Sequence, residues 1–523
     1  MKLVSTAPRS SSKQTAINLI STVLSYVVSL GISFLLTPYI VAKLGTAAYG
    51  FIGLSNTIIG YTALLTVALN SMSQRYVTLS YHKGEFDNAN QYFSSTFFAN
   101  VGLSLIIILI LGILTLFLEL IINIPPELIL DVKFLFTLLF VNSAISLCYG
   151  VFGFATFIKN RLELSNLRSV GSNVIRAVLL IILYGFFPAH LWYIGIVGIV
   201  CTIYLCLANG YYHRILTPEL KIKLRHFSSK RVWEMTKSGA WNLLNSLSGI
   251  LNQGFELLLA NIFISAYFMG VLSISKTLPF LILGFFANLG NNFQPEFIKY
   301  YAEGNMDSLK STLLKSIRIL GLFTAIPCSI VFAYGDIFYS SWLPGQDYNL
   351  MYSITCITMF GIVFAMPPQS LWYIFTMTNH VKESSLNVLK YAVLNFAIVL
   401  ICVNIFDNDI VKLYSIVTSY SLLLAWRYCT FLPFYGAKVL GFPKLTFLLP
   451  LLKIVVSVAV ISGVSYGFKY LFIREYNWGS FVLCSLFTLV IGLLGNYYFT
   501  LNPSDRKFIK GIITNKILRI KSA

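Results

Sequence analysis

The segment YHKGEFDNA at residues 81–89 returns in altered form as YAEGNMDSL at residues 301–309, which is 220 residues further along the chain. Three residue types keep their places in both copies, as Tyr81, Gly84 and Asp87 and again as Tyr301, Gly304 and Asp307. Similarity at one long and fixed interval is typical of a duplicated structural unit. The two segments therefore predict a chain that is built from two copies of one unit.

The rest of the chain is strongly apolar. Of its 523 residues, 57% are hydrophobic and only 11% are charged, whereas soluble domains carry about 25% charged residues. Apolar runs of about 20 residues recur from end to end, and in hydrocarbon each run must satisfy its own backbone hydrogen bonds as a helix. The composition therefore predicts an all-α polytopic membrane protein without a sizeable soluble domain.

Hydropathy, together with the short polar segments that separate the apolar runs, predicts about fourteen transmembrane helices. No small-residue cleavage site follows the first apolar segment, so we interpret that segment as a retained first span. The helices are expected near residues 15–38, 48–70, 92–119, 132–157, 169–187, 190–211, 238–263, 268–292, 314–335, 350–376, 384–405, 409–431, 447–471 and 478–500.

The repeat interval divides these helices into two lobes of the same orientation. Around the quoted segments, the same interval pairs further residues without a gap: Gly50 with Gly270, Ser55 with Ser275, Thr57 with Thr277, Leu69 with Leu289 and Gln74 with Gln294. Parallel repeats of this kind enclose a central substrate site in transporters that work by alternating access. The predicted organisation is an N-terminal six-helix lobe (1–211), a basic cytoplasmic linker loop (212–237), a C-terminal six-helix lobe (238–436), two additional transmembrane helices (437–501) and a basic cytoplasmic tail (502–523).

The formal net charge of +19 follows from the loops. Loops that are rich in Lys and Arg alternate with acidic loops, one of which is expected to hold Asp336 and Asp347. The positive-inside rule then places the basic loops and both termini in the cytoplasm. Because this rule explains the charge, and because a basic face with interleaved aromatic residues is not evident, no nucleic-acid partner is expected.

Motifs for catalysis are missing from the sequence. It contains no GxxxxGK[ST], HExxH or GxSxG motif, its five histidines fall in predicted loops, and its eight cysteines lie in apolar stretches without a CxxC pair. We therefore expect a protein that is not an enzyme and has no cofactor or metal. Active transport would draw on a gradient of Na⁺ or H⁺, on the gradient of the substrate, or on a partner.

Polar residues inside the predicted spans are the candidates for a binding site. In the seventh span they recur every three or four residues and so share one helix face, at Asn242, Asn245, Gly249, Asn252 and Glu256. The first span carries a milder polar face with the same period, at Asn18, Thr22, Ser25 and Ser29. Such faces either line a cavity or form hydrogen bonds between helices.

Charged residues inside a span are costly, by about 2.5–3.5 kcal/mol each at a helix centre. Lys276 is predicted to lie too deep for its ammonium group to reach the interface, and Arg176 is a second candidate. Lys390 and Arg427 fall closer to helix ends and are expected at the interface. Buried cations that face a polar cavity favour anionic ligands. Glu256 would pair with Lys276 or bind a coupling ion.

These residues form the predicted site. Substrate binding is assigned to Lys276, Arg176, Asn242, Asn245, Asn252, Asn18 and Ser25. Pro279, three residues after Lys276, is predicted to be a hinge because proline interrupts helical hydrogen bonding.

The segment TPYIVAKLGTAAYGFIGL at residues 37–54, with Pro38, Leu44-Gly45 and Tyr49-Gly50, resembles the junction of the first two spans in Wzx-type polysaccharide flippases. This family lies within the superfamily of multidrug, oligosaccharidyl-lipid and polysaccharide exporters. The resemblance implies a V-shaped pair of six-helix lobes with two appended spans, in the bacterial inner membrane. It further implies a flippase for undecaprenyl-diphosphate-linked sugar units of O-antigen (lipopolysaccharide), capsule or a related polymer, with a polymerase and assembly proteins as partners.

The resemblance also implies a cationic cavity for the headgroup, which Lys276 and Arg176 would fit. The chain departs from this pattern because it lacks a dense array of intramembrane arginines, which argues against a heavily acidic sugar unit. Three alternatives remain. A multidrug-type cation-coupled antiporter would have an anionic cavity and twelve spans, a peptidoglycan-precursor (lipid II) flippase would fit fourteen spans, and a membrane scaffold would need no cavity.

Overall fold

The computed structural model describes residues 11–290, 293–500, 502, 503 and 506. Side chains are described over these ranges apart from scattered positions, which include most of those between 241 and 254. The described residues form α-helices and short 3-10 turns, with no β-strand among them. The prediction of an all-α polytopic protein is confirmed.

The chain forms two compact units, of which the first is Met1–Gly270. Its helices are α1 (Ser11–Leu44), α2 (Thr46–His82), α3 (Phe86–Leu116), α4 (Leu118–Ile121), α5 (Ile129–Tyr149), α6 (Phe154–Ile158), α7 (Leu162–Phe186), α8 (Tyr193–Leu216) and α9 (Ser229–Phe263). Short 3-10 helices lie at Pro126–Leu128, Gly150–Gly153 and Leu224–His226.

The second unit is Val271–Ala523. It takes up most of α10 (Ala266–Gly290) and contains α11 (Gln294–Ala302), α12 (Met306–Trp342), α13 (Tyr348–Ala365), α14 (Trp372–Met377), α15 (Val381–Ile405), α16 (Asp409–Cys429), α17 (Phe431–Val439), α18 (Leu448–Phe472) and α19 (Trp478–Phe499). A 3-10 helix lies at Gln369–Leu371.

The boundary between the compact units differs from the boundary that the repeat predicts at the 212–237 linker. The reason is that α9 packs along α2 in the first unit. A Cβ atom on Gly239 would lie 1.9 Å from the Ala68 carbonyl oxygen, so the two backbones meet where only glycine fits. Met235 is buried in the same contact, where its sulfur accepts a hydrogen bond from the Ser73 hydroxyl at 3.4 Å.

The protein is a multi-pass membrane protein. Eleven helices of the described part are long and apolar enough to cross a membrane, and α2, which bends by 66° between Thr62 and Thr66, makes twelve. The more polar α9 and α16, with 35 and 21 residues, also have the length of a span. With these two, the long helices correspond to the fourteen predicted spans.

The two quoted segments adopt the same local structure. In each copy a helix ends, a glycine takes a positive φ angle, and the next helix begins two residues later. Gly84 has φ +77° and Gly304 has φ +68°, a conformation that glycine adopts without strain. A second matched pair follows the broken spans of each unit, where Asn160 has φ 51° and Asn379 has φ 61°. Asparagine is enriched among the non-glycine residues with this conformation.

A helix break recurs at the same place in both units. In the first unit α5 and α6 are separated by the 3-10 helix Gly150–Gly153, and in the second unit α13 and α14 are separated by the 3-10 helix Gln369–Leu371. The glycines give the first break its freedom, whereas Pro367 and Pro368 remove two backbone donors at the second. Each break borders one of the candidate sites described below.

The additional helices α18 and α19 pack on α12 through buried polar contacts. Lys469 Nζ lies 2.5 Å from Asp336 Oδ2, and the Tyr476 hydroxyl donates to the same oxygen at 2.9 Å. The expectation that Asp336 lies in an outer loop was wrong, because α12 continues to Trp342 and the ion pair compensates the buried carboxylate. Burial and the hydrogen bond to Asp336 raise the pKa of Tyr476 to about 12, so its hydroxyl remains a donor at neutral pH.

Candidate functional site

The first unit contains a polar cavity of about 540 Å³ between α2, α3 and α5. Its wall includes Thr62 and Thr66, which flank the bend in α2, and Gly150, which begins the break after α5. The side chains that line it are amides, hydroxyls and apolar groups, with no charged residue among them: Asn56, Ile59, Thr62, Thr66, Asn70, Asn100, Ile107, Leu139, Asn142, Ser143, Ser146, Leu147, Val151 and Phe154. This chemistry suits a neutral ligand that is rich in hydroxyl groups.

Three asparagines in the wall differ in how their hydrogen bonds are satisfied. Asn70 and Asn100 exchange amide hydrogen bonds of 3.2 and 3.0 Å, which fix α2 against α3. Asn100 also donates to the Leu147 carbonyl at 3.2 Å. The buried Oδ1 of Asn142, on α5, has no hydrogen-bond partner among the described residues. A buried polar atom without a partner costs about 1–3 kcal/mol, and Asn142 carries this cost in the wall of the cavity.

In the second unit, Lys276 is buried in the middle of α10, with 4% of its surface exposed. Its Nζ lies 5.2 Å from the ring centroid of Tyr420 on α16 and 5.7 Å from that of Phe280 on α10. Aromatic rings attract a cation through their electron-rich faces, most strongly where water is excluded. The structure thus holds the Lys276 ammonium group inside the unit and against α16.

Pro279 explains how α10 is held at this position. Since proline has no backbone N–H, the carbonyl of Ser275, four residues earlier, cannot form its helical hydrogen bond. That carbonyl instead accepts a hydrogen bond from Thr355 Oγ1 at 2.9 Å and another from the Tyr339 hydroxyl at 3.4 Å. The helix around Lys276 is therefore attached to α12 and α13. The role of Pro279 as a hinge stays a prediction.

Arg427, near the end of α16, is a second buried cation of this unit, with 8% of its surface exposed. Its guanidinium carbon lies 5.4 Å from the ring centroid of Trp372 and 5.0 Å from that of Tyr428. Its Nε is buried and has no hydrogen-bond partner among the described residues. Trp372 Nε1 donates to the Tyr428 hydroxyl at 3.0 Å, so the two rings around Arg427 are themselves fixed.

Both cations lie along α16. Tyr420, which contacts Lys276, precedes Arg427 by seven residues on this helix. The Pro367-Pro368 break places Gln369 and Trp372 beside Arg427, since Gln369 Oε1 accepts from the Tyr428 hydroxyl at 3.3 Å. Two buried cations in aromatic surroundings have the chemistry of an anion site. In the part of the chain that the structure describes, no three metal-binding side chains come together.

The other predicted site residues lie on helices of the first unit. Arg176 lies on α7 with an exposed side chain, and Ser25 is buried on α1. Glu256 is buried on α9. Asn242, Asn245 and Asn252 belong to α9, but their side chains lie outside the described residues. Their assignment to substrate binding stays a prediction.

Asn18 is engaged in a local network. Its Nδ2 donates to the backbone oxygen and to Oδ1 of Asn160 at 3.2 and 3.0 Å, and its Oδ1 accepts from the Glu163 backbone N–H at 3.2 Å. These bonds tie α1 to the turn that precedes α7. The amide of Asn18 therefore has a structural role in this conformation, and its predicted role in substrate binding is untested.

Sequence reasoning missed Arg427 as a site residue and the asparagines of the cavity. Arg427 was expected at the interface because it lies close to the end of its span, but Trp372 covers it. Asn70, Asn100 and Asn142 each stand in an apolar segment, and this isolation was the signal that could have identified them.

Comparisons with known proteins identify solved structures that share this fold. No protein-family model matches the chain. An inward-facing multidrug resistance MATE transporter superimposes with a TM-score of 0.65 at 13% identity, covering 82% of this chain and 97% of that one. The lipid II flippase MurJ superimposes with a TM-score of 0.63 at 15% identity, covering 92% of this chain and 97% of that one. The chain therefore has the fold that the MATE transporter and MurJ share.

Two further similarities complete the comparison. A MOP-superfamily transporter from Pyrococcus furiosus superimposes with a TM-score of 0.55 at 13% identity, covering 82% of this chain and 94% of that one. In sequence, the chain is 26% identical over 432 residues to the uncharacterized membrane protein EpsK of Bacillus subtilis (strain 168), across 83% of this chain and 85% of EpsK. The three similar solved structures are two transporters and a flippase.

Proposed function

We propose that this protein is a flippase that moves undecaprenyl-diphosphate-linked oligosaccharide units from the cytoplasmic to the outer leaflet by alternating access. The units would serve O-antigen, capsule or a related surface polysaccharide. The observation that carries the proposal is the pair of buried cations in the second unit, Lys276 and Arg427. A diphosphate is a multiply charged anion, and a cation held in low dielectric surroundings attracts it strongly.

Two cations along one helix could bind a diphosphate in succession. Lys276 contacts Tyr420, and Arg427 follows Tyr420 by seven residues on α16. The planar guanidinium group of Arg427 can bind two phosphate oxygens at once, whereas the ammonium group of Lys276 acts as a point charge.

The polar cavity of the first unit supports an oligosaccharide as the cargo. Its amide and hydroxyl groups can exchange hydrogen bonds with sugar hydroxyls, and Asn142 has an unsatisfied acceptor. The described residues that line this cavity include no charged side chain. The proposed sugar unit is therefore neutral or weakly charged. Glu256 on α9 is proposed to tune Lys276 or to bind a coupling Na⁺ or H⁺.

The comparisons support a lipid-linked cargo through one relative in particular. MurJ is named as a flippase of lipid II, and its match spans more of this chain than the MATE match does. A multidrug-type antiporter is the second candidate, because the MATE structure superimposes equally well. The uncharged cavity and the buried cations favour the flippase, since a site for cationic drugs would need carboxylates.

Deletion of the gene tests this proposal. We expect loss of the surface polymer and accumulation of undecaprenyl-diphosphate-linked intermediates, both restored by the wild-type chain. Normal polymer together with increased sensitivity to cationic drugs would contradict the flippase and favour the antiporter. Normal polymer without any transport defect would favour a scaffold, and arrest of cell-wall synthesis would favour lipid II as the cargo.

The proposed location is the bacterial inner membrane with both termini in the cytoplasm, and the proposed partners are a polysaccharide polymerase and assembly proteins. Reporter fusions test the orientation. An alkaline phosphatase fused after Phe499 should be inactive, and one fused in the loop between α15 and α16 should be active. The reverse pattern would contradict the proposed direction of transport.

A further inference from the structure

The segment that joins α8 and α9, residues 217–228, is fixed to the first turns of α3. Asn90 Oδ1 accepts a hydrogen bond from the Lys221 backbone N–H at 2.6 Å. Ser94 Oγ accepts from the Lys223 N–H and donates to the Lys221 carbonyl, both at 3.2 Å. These bonds are made by the backbone of the segment, so the side chains of its lysines remain available to other partners.

The first turns of α9 continue the same arrangement. Arg231 faces α3, where it donates to the Tyr92 hydroxyl at 2.8 Å and bonds Glu234 on its own helix at 3.1 Å. Met235 on this inner face is fully buried. The opposite face, at a spacing of three and four residues, exposes Lys230, Trp233 and Lys237.

Together the segment and the first turns of α9 present one surface, which we call the basic face. Its exposed cations are Lys221, Lys223, Arg225, Lys230 and Lys237, and none of them has a carboxylate partner among the described residues. Large apolar side chains lie between the cations. Leu224 is 72% exposed and Trp233 is 69% exposed, and Phe227 is exposed beside them.

The basic face lies at a membrane surface, because the segment continues directly from the end of α8, a candidate span. Clusters of four to eight Lys and Arg residues next to a span attract anionic lipid, by about 1 kcal/mol for each residue. Exposed tryptophan and phenylalanine at the same level sit among headgroups. We propose that the basic face binds the headgroups of anionic glycerophospholipids, with Leu224, Phe227 and Trp233 inserted into the leaflet.

Because the segment is anchored to α3, its backbone is already fixed before the surface binds lipid. A free polybasic loop loses conformational entropy when it binds a surface, at roughly 1–2 kcal/mol for each backbone residue that becomes fixed. Here Asn90 and Ser94 have already fixed the backbone. Substitution of both by alanine should weaken lipid binding even though no charge changes. This inference concerns the membrane and does not depend on the identity of the transported substrate.

The test uses the full chain, purified and reconstituted in nanodiscs with equal amounts of phosphatidylglycerol and phosphatidylcholine. Native mass spectrometry counts the lipids that stay bound after release. We expect the wild-type chain to retain phosphatidylglycerol preferentially. The triple variant K221Q/K223Q/K230Q should lose this preference by at least about fivefold.

The matched control is K299Q/K438Q/K444Q, which removes the same charge from exposed lysines of the second unit. It should keep the preference for phosphatidylglycerol. An equal loss in both triple variants would overturn the proposal, since net charge alone would then explain the retention. An unchanged preference in K221Q/K223Q/K230Q would also overturn it. So would the loss of a co-purifying protein without any change in bound lipid, which would indicate a protein partner.

A second measurement keeps the proposal falsifiable if the triple variant folds poorly. Trp233 fluorescence, taken as the difference between the wild-type chain and Trp233→Phe, should be quenched by brominated phosphatidylglycerol more than by brominated phosphatidylcholine. Alanine at Asn90 and Ser94 should reduce this difference. Equal quenching by both lipids would contradict recognition of the headgroup.

Discussion

The two units of the chain use the same helix break for different chemistry. In the first unit, the Gly150–Gly153 break borders a cavity whose described wall is neutral. In the second, the Pro367-Pro368 break brings Trp372 against Arg427, a buried cation. A span of each unit differs in the same way, because α2 carries the hydroxyls of Thr62 and Thr66 at its bend and α10 carries Lys276.

The two units thus share the position of the helix break but differ in the chemistry of the side chains around it. A glycine break leaves room for a cavity, because glycine carries no side chain to fill it. A proline break instead frees backbone carbonyls and brings aromatic residues together, which stabilises a cation where lipid would otherwise exclude it. Under the proposed function, one unit would bind the sugar and the other would bind the diphosphate.

The largest effect should come from the paired cation of the second unit, Lys469. Its partner Asp336 is buried, and Asp336→Asn leaves Lys469 without compensation, which should lower the free energy of unfolding by about 3–5 kcal/mol. Thermal unfolding in detergent measures this loss. The double variant D336L/K469M should regain most of the stability and should transport normally. If transport fails in this folded double variant, the ion pair belongs to the mechanism rather than to the fold.

Lys276 is the contrasting case. Lys276→Gln keeps the size and polarity of the side chain and removes the charge, so the chain should fold while it loses transport. Hydrogen bonds to charged groups contribute about 1.5–3 kcal/mol, which corresponds to a loss of roughly 10- to 100-fold. Export of lipid-linked intermediate, measured against the D336L/K469M control, gives this ratio. Normal polymer made by a well-folded Lys276→Gln protein would remove Lys276 from the site.

Arg427 should show a smaller and graded effect. Its guanidinium stacks on Trp372 and Tyr428, and such contacts contribute about 2 kcal/mol where water is excluded. Arg427→Gln should therefore reduce transport by roughly thirtyfold, while Arg427→Lys, which keeps the charge but not the planar fork, should have an activity between those of Arg427→Gln and the wild-type chain. Equal activity of Gln and Lys at this position would show that charge is irrelevant there.

Substitution of Asn142 should have the smallest effect on ligand binding, and it should distinguish most clearly between the roles proposed for the two units. A neutral hydrogen bond contributes about 0.5–1.5 kcal/mol, so Asn142→Leu should weaken binding of the complete oligosaccharide by about two- to tenfold. Binding of undecaprenyl diphosphate without sugar should be unaffected in this variant and abolished in Lys276→Gln. If both variants weaken the binding of the two ligands equally, the assignment of the sugar to one unit and of the diphosphate to the other is wrong.

The fold could be predicted from the sequence because its signals are local and repeated. The glycines of the duplicated segments, Gly84 and Gly304, required a positive φ angle, and apolar length alone indicated the spans. The burial of Lys276 could be predicted as well, because this lysine lies ten residues inside an apolar helix.

The remainder depends on packing between helices, which one sequence does not reveal. Asp336 was assigned to a loop because a lone carboxylate ends a hydropathy window, and its partner Lys469 is 133 residues away. Arg427 was assigned to the interface because its cover, Trp372, comes from another helix. The position of Asn142 in the wall of a cavity follows only from the packing of α2, α3 and α5.

Translocation in proteoliposomes tests the central claim most directly. Purified protein would be reconstituted with fluorescent undecaprenyl-diphosphate oligosaccharide, and a membrane-impermeant reductant would report the fraction that reaches the outer leaflet. We predict protein-dependent translocation that falls at least about tenfold in Lys276→Gln and in Arg427→Gln, and that D336L/K469M preserves. Absence of translocation by the wild-type protein, or equal rates in all of these variants, would contradict a flippase that recognises its cargo through the buried cations of the second unit.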